Sequence, residues 1–459
     1  MYKTALNLKR LLLIGGDVLA LQAALVATLW LRYGQLNPLT WQQHQTPFLY
    51  ITALWVVGLF VAGLYDLSKS LNGLAFFRLF LEGMIVNLLV AFAFFYLVPV
   101  FGIEPRTNLL LYFAIALLLL YVWRLLFNTY VARGLFRNRL LYVGPSEDAL
   151  MVCGLLKGYP MGFQLCAVIH TTPRTSHDAT GVRWEDRLAA LDDVIARERI
   201  NAIVLGHSLE SLPELRDALY RTLYFSTALI DRKELEETLT GRVPVAMVTK
   251  AWFLENLRES EKTWYEAVKR ALDVLLAIPF GILTIAVTPL VAIVIKLSSR
   301  GPVFYSQNRV GKGGSIFKIW KFRTMHADAE KNGPQFTASA KRDPRLFWAG
   351  RVMRQLRVDE LPQIWNVLKG DLSFIGPRPE RPEFVSPLVE RMPYYSLRHL
   401  TRPGLTGWAQ IQFLTPTASL EDNLKKLQYD LYYIKHRSLI LDLAILLKTI
   451  GIVVRRQGT

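Results

Sequence analysis

Four long apolar stretches occupy the first 126 residues, at 11–31, 47–65, 79–103 and 109–122, the last running on through Arg124 to Leu126. Each is close to the roughly 20 residues that a helix needs to cross a bilayer. Lipid offers no partner to a backbone N–H or C=O, so such stretches are expected to be transmembrane helices. Mean hydropathy is +0.25 with 52% hydrophobic residues, too apolar for a wholly soluble chain of this length. Lys3, Lys9 and Arg10 precede the first stretch, Lys69 and Arg78 separate the second from the third, and Arg124, Arg133, Arg137 and Arg139 follow the fourth. That distribution predicts a cytoplasmic N-terminus and a cytoplasmic residue 138. The first stretch has no small-residue cleavage site and reads as an anchor, not a removable signal. Asp17 and Glu82 inside the spans either mark an ion path or are a satisfied bundle contact or an end effect, the last two being the usual case.

Residues 138–250 alternate between strand and helix patterns: strands at 139–143, 164–169 and 201–205, helices at 148–156, 186–197 and 213–219. Alternation of this kind predicts a doubly wound parallel sheet, a Rossmann-like domain. A dinucleotide fingerprint would fall at Gly144-Pro145-Ser146-Glu147-Asp148. One glycine stands where three are needed, and a pyrophosphate would meet side chains and a carboxylate, so the expected domain is a scaffold or regulatory domain with an empty cleft. Only two cysteines, Cys153 and Cys166, are present, which excludes a disulfide framework.

A fifth apolar segment, 271–295, contains Asp273, Pro279, Gly281 and Pro289 and has basic residues at both ends. A full crossing would carry a strongly basic domain to the outer side, against the positive-inside tendency. A re-entrant helix over about 264–297, hinged at Thr288 and Pro289, returns both ends to the cytoplasm, with the Thr288 hydroxyl expected to take up a carbonyl freed by Pro289. Residues 438–454 are apolar but interrupted by Asp442 and Lys448. They predict an in-plane interfacial helix with Tyr429, Tyr432 and Tyr433 as upstream interfacial aromatics, a buried core helix being the alternative.

Residues 300–459 carry 26 basic against 13 acidic side chains, most of the chain's +17 excess. An anionic ligand is therefore expected there. Arg351, Arg354 and Arg357 lead into Asp359-Glu360-Leu361-Pro362-Gln363. Pro362 suits a first helical turn, Ile364, Trp365 and Leu368 its core face, and Gly370 its end. The two carboxylates then sit at a helix start, kept ionised by the dipole, where an Asp flanked by guanidinium groups and Mg²⁺ can attack phosphorus. Arg378, between two prolines in Gly376-Pro377-Arg378-Pro379-Glu380, suits fixed bidentate phosphate recognition. Gln307-Asn308-Arg309 and the stretch 318–325 add cations with interleaved aromatics. Alone these would suit nucleic acid; beside a segment in lipid, a phosphorylated lipid or a nucleotide fits better, and no nucleic-acid partner is expected.

The ordered string Lys269-Arg270-Ala271-Leu272-Asp273, Thr288-Pro289, Gln307-Asn308-Arg309, Lys321-Phe322-Arg323-Thr324-Met325, Asp359-Glu360-Leu361-Pro362-Gln363, Gly370-Asp371-Leu372-Ser373, Gly376-Pro377-Arg378-Pro379 and Arg402-Pro403-Gly404-Leu405-Thr406-Gly407-Trp408-Ala409-Gln410 resembles the bacterial polyprenyl-phosphate sugar-1-phosphate transferases, the monotopic phosphoglycosyl transferases. The resemblance covers about residues 262–456, and the four spans with the sheet domain resemble the large form, which initiates exopolysaccharide or O-antigen units. It implies three domains: a four-helix transmembrane bundle (1–137), the Rossmann-like domain (138–250), and a monotopic α/β catalytic domain (251–459). It implies that Asp359 attacks the sugar-proximal phosphate of a UDP-sugar, releases UMP, and passes the sugar phosphate to polyprenyl (undecaprenyl) phosphate. Glu360 is implied to bind Mg²⁺ with Asp359, and Arg354 and Arg378 to grip phosphates. Lys321 and Arg323 are assigned to phosphate or nucleotide from charge and position alone. A homodimer in the bacterial inner membrane, its site facing the cytoplasm, is the implied setting. Two positions depart from the pattern: Thr288 where serine is expected, and Arg357 where many members carry a small hydroxyl residue.

Overall fold

A computed structural model describes residues 2–65, 73–98, 106–130, 138–157, 163–172, 182–206, 213–222, 227–245, 249–257, 262–326, 329, 343–392, 394–415 and 417–454. Lys69, Arg133, Arg137 and residues 99–103 of the expected third span lie outside them. The chain divides into two compact units, Met1–Leu239 and Thr240–Thr459.

The first unit begins with four helices, α1 (Tyr2–Tyr33), α2 (Pro38–Val61), α3 (Leu74–Leu97) and α4 (Arg106–Leu126). Each contains a window long and apolar enough to cross a membrane. α2 starts where Asn37 accepts the Leu39 N–H at 3.1 Å and Pro38, with its pre-set φ, opens the first turn. All four helices contribute to one buried apolar cluster that includes Leu25, Trp55, Phe80 and Tyr112. Asp17 is fully buried and its Oδ2 is paired, with Arg124 Nη2 at 2.5 Å and the Tyr65 hydroxyl at 2.6 Å, while its Oδ1 has no hydrogen-bond partner. Glu82 meets Arg78 one turn away on an exposed face. Glu82 thus pairs within its own helix, whereas Asp17 is a contact between helices. Arg124, counted by sequence among the flanking cations, is 1% exposed and belongs to this pair, so it gives no topological signal.

The same unit continues into a five-stranded parallel sheet in the order β3-β2-β1-β4-β5. Its strands are β1 (Asn138–Gly144), β2 (Phe163–His170), β3 (Arg183–Glu185), β4 (Ala202–Leu205) and β5 (Ala228–Asp231). α5 (Ser146–Lys157) and α8 (Arg232–Thr240) cover one face, α6 (Leu191–Glu198) and α7 (Pro213–Thr222) the other. The order reverses between β1 and β4, where a doubly wound sheet would bind a ligand. There the Tyr142 hydroxyl sits 2.6 Å from where a Cβ on Gly144 would lie and 2.1 Å from one on Gly206. The Ser146 N–H, first of α5, is already taken by the Thr172 hydroxyl at 3.0 Å.

In the second unit, Val243, Val245 and Phe253, the last on α9 (Lys250–Asn256), join a core with Tyr395, Leu431 and Ile434. The chain therefore enters this unit before residue 250. α10 (Thr263–Ser298) is a 36-residue helix assigned as continuous through Pro279 and Pro289. Its buried positions, Tyr265, Lys269, Asp273, Ala277, Gly281 and Thr284, recur at about one turn and resume at Val291 and Ile295. Much of its remaining surface is apolar and open, with Leu275, Ile282, Ile285 and Leu290 all more than half exposed. The Thr288 hydroxyl donates to the Thr284 carbonyl at 2.6 Å. The carbonyl that Pro289 leaves without its N–H is that of Ile285, so the expected compensation falls one residue away.

Beyond α10 come the antiparallel hairpin β6 (Phe304–Val310) and β7 (Ile316–Phe322), then α11 (Trp348–Gln355), a 3-10 turn Val358–Gln363, and α12 (Ile364–Lys369). β8 (Ser373–Ile375) pairs in parallel with β9 (Gly404–Thr406); α13 (Pro382–Arg391) and a second 3-10 turn, Tyr395–Leu400, lie between them. α14 (Trp408–Gln412), α15 (Leu420–His436) and α16 (Leu439–Val454) complete the unit. The expected role of the tyrosines is corrected: Tyr429 and Tyr433 are 9% and 1% exposed, core residues of α15. Asp442 is buried too, 2.6 Å from Lys269 on α10. α16 packs Leu441, Ile445 and Leu446 inward and leaves Ile440, Leu443 and Val453 exposed. It has a core face, as the second alternative expected, and an exposed apolar face opposite.

Candidate active site

The carboxylate pair lies where α11 ends. Arg357 takes a left-handed conformation, φ 57°, which L-residues adopt at a cost, and this reverses the chain into the 3-10 turn. The turn directs Asp359 inward, 5% exposed, and continues into α12, which closes on Gly370 at φ 99° as the glycine predicts. Ile364 and Val367 form the core face of α12, whereas Trp365 is 44% exposed, contrary to expectation.

Glu360 is the electrostatic hub. Its Oε1 accepts Arg378 Nη2 at 3.0 Å and Lys321 Nζ at 3.2 Å, with Arg357 Nη1 at 3.7 Å. Strand parity explains why Lys321 arrives and Lys318 does not. Phe317, Ile319 and Lys321 share the inner face of β7, while Lys318 and Trp320 face outward. Burial alone would raise the Glu360 pKa, but Lys321, Arg378 and Arg357 outweigh it and hold the carboxyl well below its ordinary range. Burial pulls the Lys321 ammonium down, with Glu360 opposing.

Asp359 behaves oppositely. Burial, then repulsion from Glu360, push it up to about 6 against the pull of Lys321, Arg354 and Arg357. The expectation that both carboxylates are held strongly ionised is met only by Glu360. Asp359 Oδ1 is buried and has no hydrogen-bond partner. At neutral pH such a group is mostly ionised yet more basic than an ordinary carboxylate, which suits a nucleophile.

The other expected residues divide. Arg354 donates Nε to the Thr324 hydroxyl at 3.0 Å and acts on Asp359 by charge. Arg351 is exposed. Arg323 does not join the cluster, which revises its assignment. Its Nε donates to Pro302 O at 2.6 Å, Nη1 to Arg300 O at 3.0 Å and Nη2 to Ser299 O at 2.8 Å. This guanidinium fastens the chain that leaves α10, with four of its five N–H groups committed to residues 299–302. The first motif fastens the other end of α10: Lys269 to Asp442, Arg270 to the Val367 and Leu368 carbonyls ending α12 at 2.5 and 2.7 Å, Asp273 to the Phe374 N–H at 3.0 Å.

Gly376, Gly404 and Gly407 let two backbones touch beside this site. A Cβ on Gly404 would lie 2.1 Å from Gly376 N, and one on Gly407 2.2 Å from Gly376 O. This close approach seats the loop that carries Arg378. Sequence reading missed the polar groups behind that loop: Arg398, Asp430 and Lys426, the last donating to Glu380 Oε1 at 2.6 Å. They are scattered through 3-10 turn and helix with no local spacing that marks them.

Residues 264–456 match the model of the bacterial sugar transferases. A UDP-glucose:undecaprenyl-phosphate glucose-1-phosphate transferase of Caulobacter vibrioides is 40% identical over 183 residues, 40% of this chain and 68% of that protein. The chain belongs to the bacterial sugar transferase family. An Aeromonas hydrophila UDP-N-acetylgalactosamine-undecaprenyl-phosphate N-acetylgalactosaminephosphotransferase is 43% identical over 49% of this chain, and the match spans about half, 52%, of its own length. A Klebsiella pneumoniae UDP-glucose:undecaprenyl-phosphate glucose-1-phosphate transferase is 27% identical across 86% of both chains. All the residues around Asp359 described here fall inside the segment matched to the bacterial sugar transferases.

Proposed function

We propose that the protein transfers a sugar 1-phosphate from a UDP-sugar to polyprenyl phosphate, undecaprenyl phosphate in bacteria, by two displacements at Asp359. The observation that carries this reading is the buried, unpartnered Oδ1 of Asp359 beside a Glu360 whose charge gathers three cations. In the first displacement a carboxylate oxygen of Asp359 attacks the sugar-proximal phosphorus. The bond to the bridging oxygen breaks, UMP leaves with that electron pair, and an aspartyl phospho-sugar forms. In the second, a polyprenyl phosphate oxygen attacks the same phosphorus and frees the carboxylate. Lys321, Arg354, Arg357 and Arg378 supply the positive field in which charge on the transferring group is stabilised. Splitting the transfer lets a water-soluble donor and a lipid acceptor use one site in turn.

Mg²⁺ fits these residues. Asp359 Oδ1 is a hard oxygen with no protein partner, and the contacts to Glu360 fall on Oε1, leaving Oε2 for a cation. No cluster of three or more metal-ligating side chains occurs among the described residues. The ion would thus be held by Asp359 and Glu360 together with diphosphate oxygens, its common mode. When bound it supplies further neutralisation of phosphate charge.

The setting is the inner membrane, with α10 as a re-entrant element and the site facing the cytoplasm. Support comes from the two ends of α10, both engaged by one unit: Lys269 by Asp442, Ile295 by Phe322 and Phe347. Cysteines at Trp264 and Arg300 should both react with a reagent confined to the cytoplasmic side; labelling from opposite sides refutes that topology. Open apolar faces on the helices are available to lipid or a second copy, and a homodimer is the expected state.

The deciding experiment for the chemistry uses purified protein with UDP-sugars labelled in the sugar. Label should remain on denatured wild type and be absent from Asp359→Asn, which should also release no UMP. Equal UMP release by both proteins refutes the mechanism. A panel spanning UDP-glucose, UDP-galactose and their N-acetylated relatives identifies the donor.

A further inference from the structure

The loop that presents Arg378 is held by its backbone to an unusual degree. All four carbonyls of residues 377–380 accept a bond from outside the loop. Gly404 N–H donates to Pro377 O at 3.0 Å, Arg398 Nη2 to Arg378 O at 3.0 Å, Arg309 Nη1 to Pro379 O at 2.9 Å and Val310 N–H to Glu380 O at 3.0 Å. Two of these donors are charged side chains. Arg398 is 4% exposed, and its guanidinium also donates to Asp430 Oδ2 at 2.7 Å and to the Tyr395 hydroxyl at 2.7 Å. Asp430, 1% exposed, interrupts the buried face of α15 between Leu427 and Leu431.

A buried ion pair is weak evidence for stability, because well-packed apolar residues of similar volume often stabilise as much. What an apolar pair lacks is a donor aimed at the Arg378 carbonyl. We propose that Arg398, oriented by Asp430, is a positioning residue: it fixes the Arg378 backbone so that the guanidinium, tied at its tip to Glu360, meets the donor diphosphate in one orientation. This rests on the transferase reading. The Arg378 side chain remains 37% exposed, so its face away from Glu360 is open to a ligand. A planar fork can bond Asp430, Tyr395 and the carbonyl together; a lysine ammonium keeps the charge but cannot span all three.

The test is a double-mutant cycle in the full-length protein in lipid particles, with UDP-glucose and UDP-N-acetylgalactosamine as probes and UMP release as readout. Arg398→Lys should raise the donor KM about tenfold, the scale of one charged hydrogen bond lost. In an Arg378→Ala background the same substitution should change KM less than about twofold, since the group it positions is gone. Asp430→Asn should repeat both results. It also serves if Arg398→Lys does not fold, because it leaves the arginine and the cavity volume unchanged. Equal fold-changes in KM with and without Arg378, or a loss confined to thermal stability, overturns the proposal while leaving the transferase reading standing. A wild type that releases no UMP from any UDP-sugar overturns the reading and the proposal together.

Discussion

Glu360→Gln separates the electrostatic roles of the two adjacent carboxylates. In the wild type, repulsion from Glu360 is the second largest influence raising Asp359, after burial. Two carboxylates about 6 Å apart at an effective dielectric of about 20 repel by roughly 3 kcal/mol, or about two pH units. Solvent and the counter-cations screen part of this, so a fall of about one unit is expected. Gln keeps an acceptor for Lys321 and Arg378 but removes the charge, leaving Lys321, Arg354 and Arg357 to act on Asp359 without the opposing repulsion. The nucleophile must be ionised, so adduct formation in wild type should decline on the acid side of about 6, with bound Mg²⁺ moving that limb lower still. With both proteins saturated in Mg²⁺, the acid limb of the variant should lie lower by about one unit, whatever the absolute rate. Rapid-quench measurement of labelled sugar phosphate on the protein, in single turnover across pH, reads the limb without interference from product release. A limb that stays in place, or moves towards neutral pH, refutes the assigned coupling.

Three further outcomes follow from the geometry. Lys269→Met should destabilise the C-terminal unit by about 3–5 kcal/mol by leaving Asp442 buried without its counter-charge, and Asp442→Leu in the same chain should recover much of the loss in a thermal inactivation assay. Glu380 is lowered to about 2 because Lys426, Arg398 and Arg309 outweigh the effect of burial. A depressed carboxylate contributes stability above its unfolded value near 4.5 that is lost as pH falls towards about 2, so up to about 3 kcal/mol of acid sensitivity should disappear in Glu380→Gln, measured by denaturant melts against pH. Arg323→Ala should lower the melting temperature, with a cost of about 2–3 kcal/mol from its lost carbonyl contacts, while leaving the donor KM of the surviving enzyme nearly unchanged; a large KM effect would restore it to phosphate binding.

Much of the architecture was legible because its signals are local. Apolar length identified the helices of the first unit, strand and helix alternation identified the parallel sheet, and Gly370 marked the end of α12 at the residue where it occurs. Asp359, Glu360 and Arg378 were legible because their motifs are contiguous. Errors arose where a partner distant in the chain decides. Arg323 reads as one more cation in a basic string, but Ser299, Arg300 and Pro302 claim its donors. Tyr433 reads as an interfacial aromatic, but Lys269 and Asp442 draw its hydroxyl into the core at 3.1 and 2.9 Å. Trp365 reads as a core residue by helical spacing, but α12 turns Ile364 and Val367 inward instead.

The amino-acid order alone determined which segments are long and apolar enough to cross a membrane, which third of the chain carries cations, and which carboxylates stand side by side, since hydropathy, charge and adjacency are properties of the residues themselves. Tertiary structure decided what those carboxylates are. Two neighbours with nearly the same intrinsic acidity are driven apart, Glu360 by cations arriving from β7 and the Arg378 loop, Asp359 by burial and by Glu360 itself. The same holds for Arg398 and Asp430, 32 positions apart and in contact only once the chain has folded. Electrostatic energy depends on distance and on the loss of water, and neither quantity exists until packing sets it.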